Sequence, residues 1–187
     1  VIVEQLKFLY LNSGYVNIEI FFNKILINYD KKYVDIVLKV LKGKKYYLKN
    51  VYLSGETSFS KYELLYFVSK FIKIGDEFSI NNIYKLSNML KEKYKKIGYF
   101  DSVIEYYCNF NKNSKFFDLI YYIIPGEKAL ARYIYFVGNS KTKNFILKHY
   151  VYNSENDYIF NNDMIFTKNS LLKNNLLEDI NINVKRV

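Results

Sequence analysis

Apolar residues in the middle of the chain recur with the period of a helix. The spacing steps are three, four, four and three residues, which predicts one buried face of a long helix. The positions are Ile83, Leu86, Leu90, Tyr94 and Ile97. Gly98 follows at once and is the expected stop, because glycine readily adopts the left-handed conformation of a helix end.

A shorter helix is predicted before the long one. Ser60 and Glu63 have the spacing of a capping box, in which the serine caps the first turn and the glutamate reaches back to it. Gly75 and Asp76 interrupt the helical pattern, and Ser79 then stands where it can cap the long helix.

Strand-like segments flank the two helices. One runs between Gly43 and Gly55, where Val51 and Leu53 alternate with polar or half-polar neighbours. Two more, at about Phe100–Phe110 and Phe116–Ile124, are joined by a polar turn. The predicted order is therefore strand, helix, helix, strand, strand, closed by Pro125-Gly126.

Landmarks of this unit recur at a fixed distance. Glycines bound a strand-like segment at positions 43 and 55 and again at 126 and 138, an offset of 83. The Gly-Tyr pair at 14 and 15 recurs at 98 and 99, an offset of 84. The chain is thus predicted to be a tandem repeat of units near 80 residues: 1–42, 43–125 and 126–187.

The first unit is predicted to contain only its second half. Residues 1–13 form a helix, and Tyr15–Ile27 and Lys32–Leu41 form two strands. Apolar residues alternate along the second strand, which predicts one well-buried face. These residues are Val34, Ile36, Leu38 and Val40.

The last unit is predicted to contain a strand at Leu130–Val137 and a helix capped near Thr142. A second helix lies around Met164–Asn174, with Asn175 in place of the terminal glycine, and a further strand is expected near Glu178–Val187.

Composition favours folded modules. Of 187 residues, 50% are hydrophobic and 19% aromatic, which is enough for packed cores. Every apolar run is interrupted by polar residues before it could span a bilayer, and no signal peptide is predicted at the N-terminus. Cys108 is the only cysteine and His149 the only histidine, so neither an internal disulfide nor a zinc site is expected.

The net charge of +10 leaves a basic nucleic-acid-binding module as an alternative. The lysines are spread along every segment, which favours solvated faces over one phosphate-binding stripe. An enzyme is not expected, because the chain has one histidine and no glycine-rich phosphate loop.

Gly-bounded units of this kind, with Gly-Tyr closing the second helix, resemble the POTRA domains of the BamA family of outer-membrane β-barrel assembly factors. The most similar segment begins at Ile124-Pro125-Gly126 and continues to Phe136-Val137-Gly138-Asn139 and Thr142. The resemblance covers essentially the whole chain. Two departures are Glu56 after Gly55, where Gly-Asn is usual, and Asn174-Asn175 in place of Leu-Gly.

The resemblance implies an α+β fold of tandem POTRA domains, each a three-stranded mixed sheet with two helices on one face. It implies a periplasmic location at the outer membrane, no cofactor and no catalysis. The implied partners are unfolded outer-membrane β-barrel proteins, accessory lipoproteins and periplasmic chaperones, with membrane contact only through a barrel that this sequence lacks. A POTRA arm of a two-partner secretion or organelle import machine remains the alternative within the fold.

In this family the second strand is usually the open sheet edge, to which an extended client can add by main-chain hydrogen bonds. The polar residues expected along the two corresponding strands are Asn17, Glu19, Asp101, Ser102 and Glu105. Glu155 occupies the place of an acidic residue that the family uses to dock a lipoprotein, beside the basic Lys148 and His149. The aromatic residues of the last two strands are interpreted as packing residues, not as a ligand platform. These are Tyr106, Tyr107, Phe116, Phe117, Tyr121 and Tyr122.

Overall fold

The computed structural model describes residues 2–28, 33–55 and 58–185. The order of elements is one helix and two strands, then strand, helix, helix, strand, strand, then two helices. Their bounds are α1 Ile2–Leu11, β1 Glu19–Asn28, β2 Tyr33–Leu41, β3 Tyr47–Gly55, α2 Lys61–Ser69, α3 Ile80–Lys96, β4 Val103–Phe110, β5 Phe116–Ile124, α4 Asn144–Lys148 and α5 Asn161–Lys173.

The chain divides into two compact units. The first comprises residues 1–88 and 104–123, and the second comprises residues 89–103 and 124–187. Helix α3 and strand β4 each contribute residues to both units.

A three-stranded sheet has the order β3-β5-β4. Strand β3 runs parallel to β5, whereas β4 and β5 form a hairpin in which the Asn111 amide donates to the Phe116 carbonyl at 3.1 Å. The helices cover one face of this mixed sheet, and the buried Tyr121 hydroxyl of β5 donates to the Ile83 carbonyl of α3 at 3.0 Å. The expected α+β fold class is confirmed.

The core of the first compact unit (residues 1–88 and 104–123) consists of apolar residues on the helix-facing side of the three-stranded sheet and on the sheet-facing side of its helices. Burial of such side chains is the main favourable term in folding. The most buried are Leu48, Leu64, Val68, Ile83, Leu86, Leu119, Tyr121 and Ile123.

The predicted caps at Ser60 and Ser79 and the predicted stop at Gly98 are confirmed. Ser60 accepts a hydrogen bond from the Glu63 amide at 3.2 Å, and Ser79 accepts one from the Asn82 amide at 3.3 Å. Gly98 has a φ of +98° just beyond α3, as expected of a left-handed helix end.

Strands β1 and β2 form a separate antiparallel pair with a register shift between Phe22 and Lys24. Tyr15 lies outside β1 and forms an isolated bridge with Lys45. Part of the predicted second strand, at Lys32, lies outside the described residues.

The prediction of a well-buried face on β2 is wrong. Val34 and Ile36 are 51% and 54% exposed, and only Leu38 and Val40 are half-buried. Among the described residues α1 contacts β1, and the apolar side chains in the outer half of this two-stranded sheet are exposed.

The predicted strand at Leu130–Val137 is also wrong. Within residues 58–185 this segment has no ladder partner and forms only an isolated bridge from Leu130 to Tyr158. In the complete sheet β3 is a strand because β5 lies beside it, and no described strand takes that place beside 130–137. The described part of the predicted strand near Glu178–Val187, up to residue 185, is irregular for the same reason.

The helices of the second unit differ from prediction at their starts. Helix α4 begins at Asn144 with Lys143 as its cap residue, and the Thr142 hydroxyl donates to the Leu176 carbonyl at 3.1 Å, not to the helix. Helix α5 begins at Asn161, earlier than Met164. Asn175 has a φ of +53°, so the predicted left-handed helix end is confirmed.

A short loop covers the start of β3 on the side away from β5. The Leu48 amide donates to the Asp76 carbonyl, and the Gly75 amide donates back to the Leu48 carbonyl, both at 2.8 Å. The Phe78 amide then donates to the Tyr46 carbonyl at 2.9 Å. This loop satisfies main-chain groups that would otherwise be exposed at one edge of the sheet.

The same hydrogen bonds recur in the second unit. Ala131 donates to the Asp157 carbonyl at 2.8 Å, Asn156 donates to the Ala131 carbonyl, and Ile159 donates to the Ala129 carbonyl at 2.9 Å. Asn156 has a φ of +72° where the first copy has glycine at 75 with a φ of +93°. The sequence repeat is therefore also a repeat of main-chain geometry.

The glycine after each long helix makes a matching connection. The Gly14 carbonyl accepts from the Tyr46 amide at 2.9 Å, and the Gly98 carbonyl accepts from the Ala129 amide at 3.0 Å. Each hydrogen bond joins a helix end to the beginning of the following repeat.

Candidate functional site

Strand β4 lies at one edge of the three-stranded sheet, and no strand of the residues that the structure describes pairs with its outer side. The Asn111 amide donates to the Phe116 carbonyl and therefore faces β5, and along an antiparallel strand the residues whose main-chain groups face the neighbour alternate with those whose groups face away. Ring contacts between Tyr106 and Tyr121 and between Phe110 and Phe117 fit this register. The main-chain groups directed away from β5 therefore belong to Ile104, Tyr106, Cys108 and Phe110.

These edge residues were not predicted as the site. Their side chains form the helix-facing row of β4, where Ile104 is buried and the other three are half-buried. The sequence alternation indicates which side chains face inward, but the hairpin register is needed to show which amides face outward. Burial raises the pKa of Cys108 to about 11, so its thiol is neutral at neutral pH.

The predicted Glu105 lies in β4 on the opposite, helix-free face. Its carboxylate accepts a hydrogen bond from the Tyr107 hydroxyl at 2.8 Å. By the hairpin register its amide and carbonyl face β5, so Glu105 can contribute only a side chain to an incoming strand.

Asp101 and Ser102 precede β4, which begins later than the predicted strand at Phe100. Asp101 is exposed, whereas Ser102 is only 8% exposed. The structure therefore does not bring these two residues onto the ladder edge with Tyr106 and Cys108.

Asn17 and Glu19 lie at the start of the β1–β2 pair. Glu19 is exposed and pairs with Leu41 at the first position of β1. Asn17 precedes the strand, and its carbonyl oxygen lies 3.0 Å from where a Cβ on Gly43 would be.

Three of the six aromatic residues of β4 and β5 lie in the core, as the packing interpretation expects. Phe117 and Tyr121 are buried and Tyr106 is half-buried. Tyr107, Phe116 and Tyr122 are exposed, because they occupy alternate positions on the helix-free face.

The structure brings Lys148 and Glu155 together in the second unit. Their Nζ and Oε1 atoms are 3.2 Å apart, and the same Oε1 accepts from the Ile134 amide at 3.3 Å. The backbone hydrogen bond from Ile134 and then the Lys148 ammonium hold the pKa of Glu155 below its ordinary value. His149 is exposed at the end of α4, with its ring 6.3 Å from that of Tyr150.

In the described ranges 2–28, 33–55 and 58–185, no group of three histidine, cysteine or acidic residues could hold a metal ion. No helix in those ranges is long and apolar enough to cross a bilayer.

Comparison with known proteins identifies the repeat. Residues 46–126 match the POTRA family, described as a surface antigen variable number repeat. The chain is 26% identical to the outer membrane protein assembly factor BamA of Buchnera aphidicola subsp. Acyrthosiphon pisum over 183 residues, which is 96% of this chain and 29% of that protein. It therefore spans less than a third of its relative's length.

Solved structures agree in fold. The crystal structure of Haemophilus influenzae BamA POTRA3-5 matches 99% of this chain and 72% of that one, with a TM-score of 0.69 and 19% identity. The structure of Haemophilus ducreyi BamA lacking POTRA domains 1-3 matches 68% of this chain and 22% of that one, with a TM-score of 0.50 and 17% identity. Residues 46–126 thus match the POTRA family, and the chain as a whole is similar in sequence to the outer membrane protein assembly factor BamA and in fold to its POTRA domains.

Proposed function

We propose that this POTRA region acts without catalysis, binding unfolded outer-membrane β-barrel proteins in the periplasm by strand addition to β4. The observation that supports this most directly is the contrast between the two sheet edges. A loop closes the start of β3, whereas the main-chain groups of Tyr106, Cys108 and Phe110 face away from β5. An extended client can pair with such an edge with little demand on its sequence.

The proposed function includes a division into three modules, 1–42, 43–125 and 126–187. The repeated hydrogen bonds at Tyr46 and Ala129, 83 residues apart, support boundaries just before each of them. The 46–126 family match supports the central module.

The test of strand addition is an NMR titration of the whole chain with a ten-residue peptide from an outer-membrane barrel strand. We expect amide shifts along Tyr106–Phe110, and along β1 if its edge also accepts a strand. The matched control is the same peptide with proline at alternate positions, which lacks the amides needed for pairing. Absence of shifts on both strands would overturn the proposal.

A protein variant sharpens this test. Cys108→Pro removes an amide that faces the open edge but none that pairs with β5, so the hairpin should survive. We expect circular dichroism like that of the unchanged chain and at least tenfold weaker peptide binding. Equal affinity for the variant would place the binding site elsewhere.

We also propose that the second unit docks an accessory lipoprotein through Glu155, Lys148 and His149. Their exposure on one short segment supports this, although Glu155 already holds Lys148 and the Ile134 amide. His149→Ala should weaken lipoprotein binding in calorimetry without loss of stability, since no described hydrogen bond depends on that ring. Unchanged binding in His149→Ala and Glu155→Gln together would exclude this surface. Delivery of clients by periplasmic chaperones belongs to the same proposal.

A further inference from the structure

The usable edge of β4 is shorter than the strand itself. Ser87 of α3 is 4% exposed, and its hydroxyl donates a 3.0 Å hydrogen bond to the Ile104 carbonyl. Ile104 is the first of the four residues whose main-chain groups face away from β5. A carbonyl oxygen has two lone pairs, so the Ser87 side chain competes at this end with the amide of an added strand for the same oxygen and for the space around it.

Competition for that acceptor affects one position of an added strand. In an antiparallel ladder, a residue facing its neighbour exchanges both an amide and a carbonyl hydrogen bond with one partner residue. At Ile104 the carbonyl already accepts from Ser87, whereas Tyr106, Cys108 and Phe110 have no such helix side chain on their carbonyls among the recorded bonds of the described residues. Pairing is thus favoured from Tyr106 to Phe110.

We propose that Ser87 is a positioning residue that limits strand addition to Tyr106–Phe110. This proposal rests on the proposed function. The site then takes a segment of about five residues, set by the length of this window, and the segment ends beside α3.

The two faces of β4 indicate which kind of peptide segment fits this edge. Tyr106, Cys108 and Phe110 are half-buried on the helix side, so apolar side chains opposite them would extend the core. Glu105 and the Tyr107 hydroxyl lie on the other face, where polar or basic side chains are favoured. Strict alternation of apolar and polar residues is the pattern of a transmembrane β-barrel strand.

Cys108 supplies a built-in reporter, because it is the only cysteine of the chain. Peptides that carry one cysteine at successive positions would be oxidised with the whole chain by copper-phenanthroline. We expect disulfides at every second peptide position, with one strongest position opposite Cys108. No disulfide with any peptide, together with no amide shifts, would sink the proposed function itself, before Ser87 is considered.

The Ser87 proposal is tested by peptide length. Peptides that cover Tyr106–Phe110 are compared with peptides two residues longer at the Ile104 end. The unchanged chain should bind both equally, whereas Ser87→Ala should bind the longer one about tenfold more tightly, since one further residue pair can form. Ser87→Thr keeps the hydroxyl and should restore equal binding, and Asn88→Ala is the matched neighbour on the same helix.

If Ser87 had only a structural role, Ser87→Ala would lower the stability of the chain but would still bind the shorter and the longer peptide equally. This result would overturn the proposal. The unchanged chain gives a second measurement that does not depend on folding of the variant. On binding of the longer peptide, the amides of Tyr106, Cys108 and Phe110 should gain protection from hydrogen exchange, while the peptide amide opposite the Ile104 carbonyl should not. Full protection of that peptide amide would equally overturn the proposal.

Discussion

Single residues hold the repeat together through main-chain conformation more than through side-chain chemistry. Gly55 and Gly75 both have positive φ angles, +95° and +93°, which side chains rarely adopt. They differ in their surroundings. A Cβ on Gly55 would lie 2.2 Å from the Ile123 carbonyl oxygen, whereas a Cβ on Gly75 would meet nothing within 4 Å.

This difference gives a matched pair of substitutions. Gly75→Ala should cost about 1–2 kcal/mol of unfolding free energy, the strain of a left-handed alanine. Gly55→Ala should cost clearly more, because the β3–β5 ladder must also move apart. Urea denaturation of both variants measures this, and equal losses would mean that the close approach at Ile123 relaxes freely.

Glu155 gives a pH-dependent prediction. Its pKa is lower in the folded chain than its ordinary value of 4.5, so its hydrogen bond to the Ile134 amide stabilises the fold above about pH 4.5. That contribution is lost as the pH falls through the lower, folded pKa. The Ile134 amide should therefore shift in NMR spectra below pH 4.5, and its protection factor (its exchange rate relative to that of an unprotected amide at the same pH) should fall.

The control for this titration is Glu155→Gln. Glutamine retains an oxygen that can accept from the Ile134 amide but does not ionise. The Ile134 resonance of the variant should stay unchanged through the acidic range. A persisting shift would assign the titration to another group.

At the scale of elements, the sequence predicts correctly those features that interactions between neighbouring residues determine. Caps at Ser60 and Ser79 and the stop at Gly98 were all found, because each depends on residues adjacent in sequence. The strand at Leu130–Val137 was wrong, since a strand exists only beside a partner that local pattern does not supply. The outward amides of β4 were missed for the same reason: they depend on the hairpin register.

The cap of α2 can be tested by itself. Ser60→Ala removes the acceptor of the Glu63 amide and should lower the unfolding free energy by about 1 kcal/mol. Ser60→Asp supplies another cap acceptor and adds a favourable charge at the helix start, so it should recover most of that loss. Thermal and urea denaturation compare the three chains. Equal stability of all three would show that the cap is dispensable.

At the scale of the whole molecule, the proposed modules differ in how much core each possesses. Between residues 46 and 126 lie the buried residues of the β3-β5-β4 sheet and its two helices. The described residues between 2 and 41 have mostly exposed apolar side chains, among them Phe22, Ile25 and Ile36. One segment can therefore bury its apolar surface by itself and the other cannot.

Excision tests this difference directly. Residues 43–126 should fold alone with one cooperative urea transition, since single domains of this size bury enough surface to be stable. Their unfolding free energy should be lower than in the whole chain, because excision removes the hydrogen bond from the Tyr46 amide to the Gly14 carbonyl. Residues 1–42 should show no cooperative transition. If 43–126 were unfolded while the whole chain unfolds in one step, the chain would be one cooperative body, and the proposed module boundaries would fail.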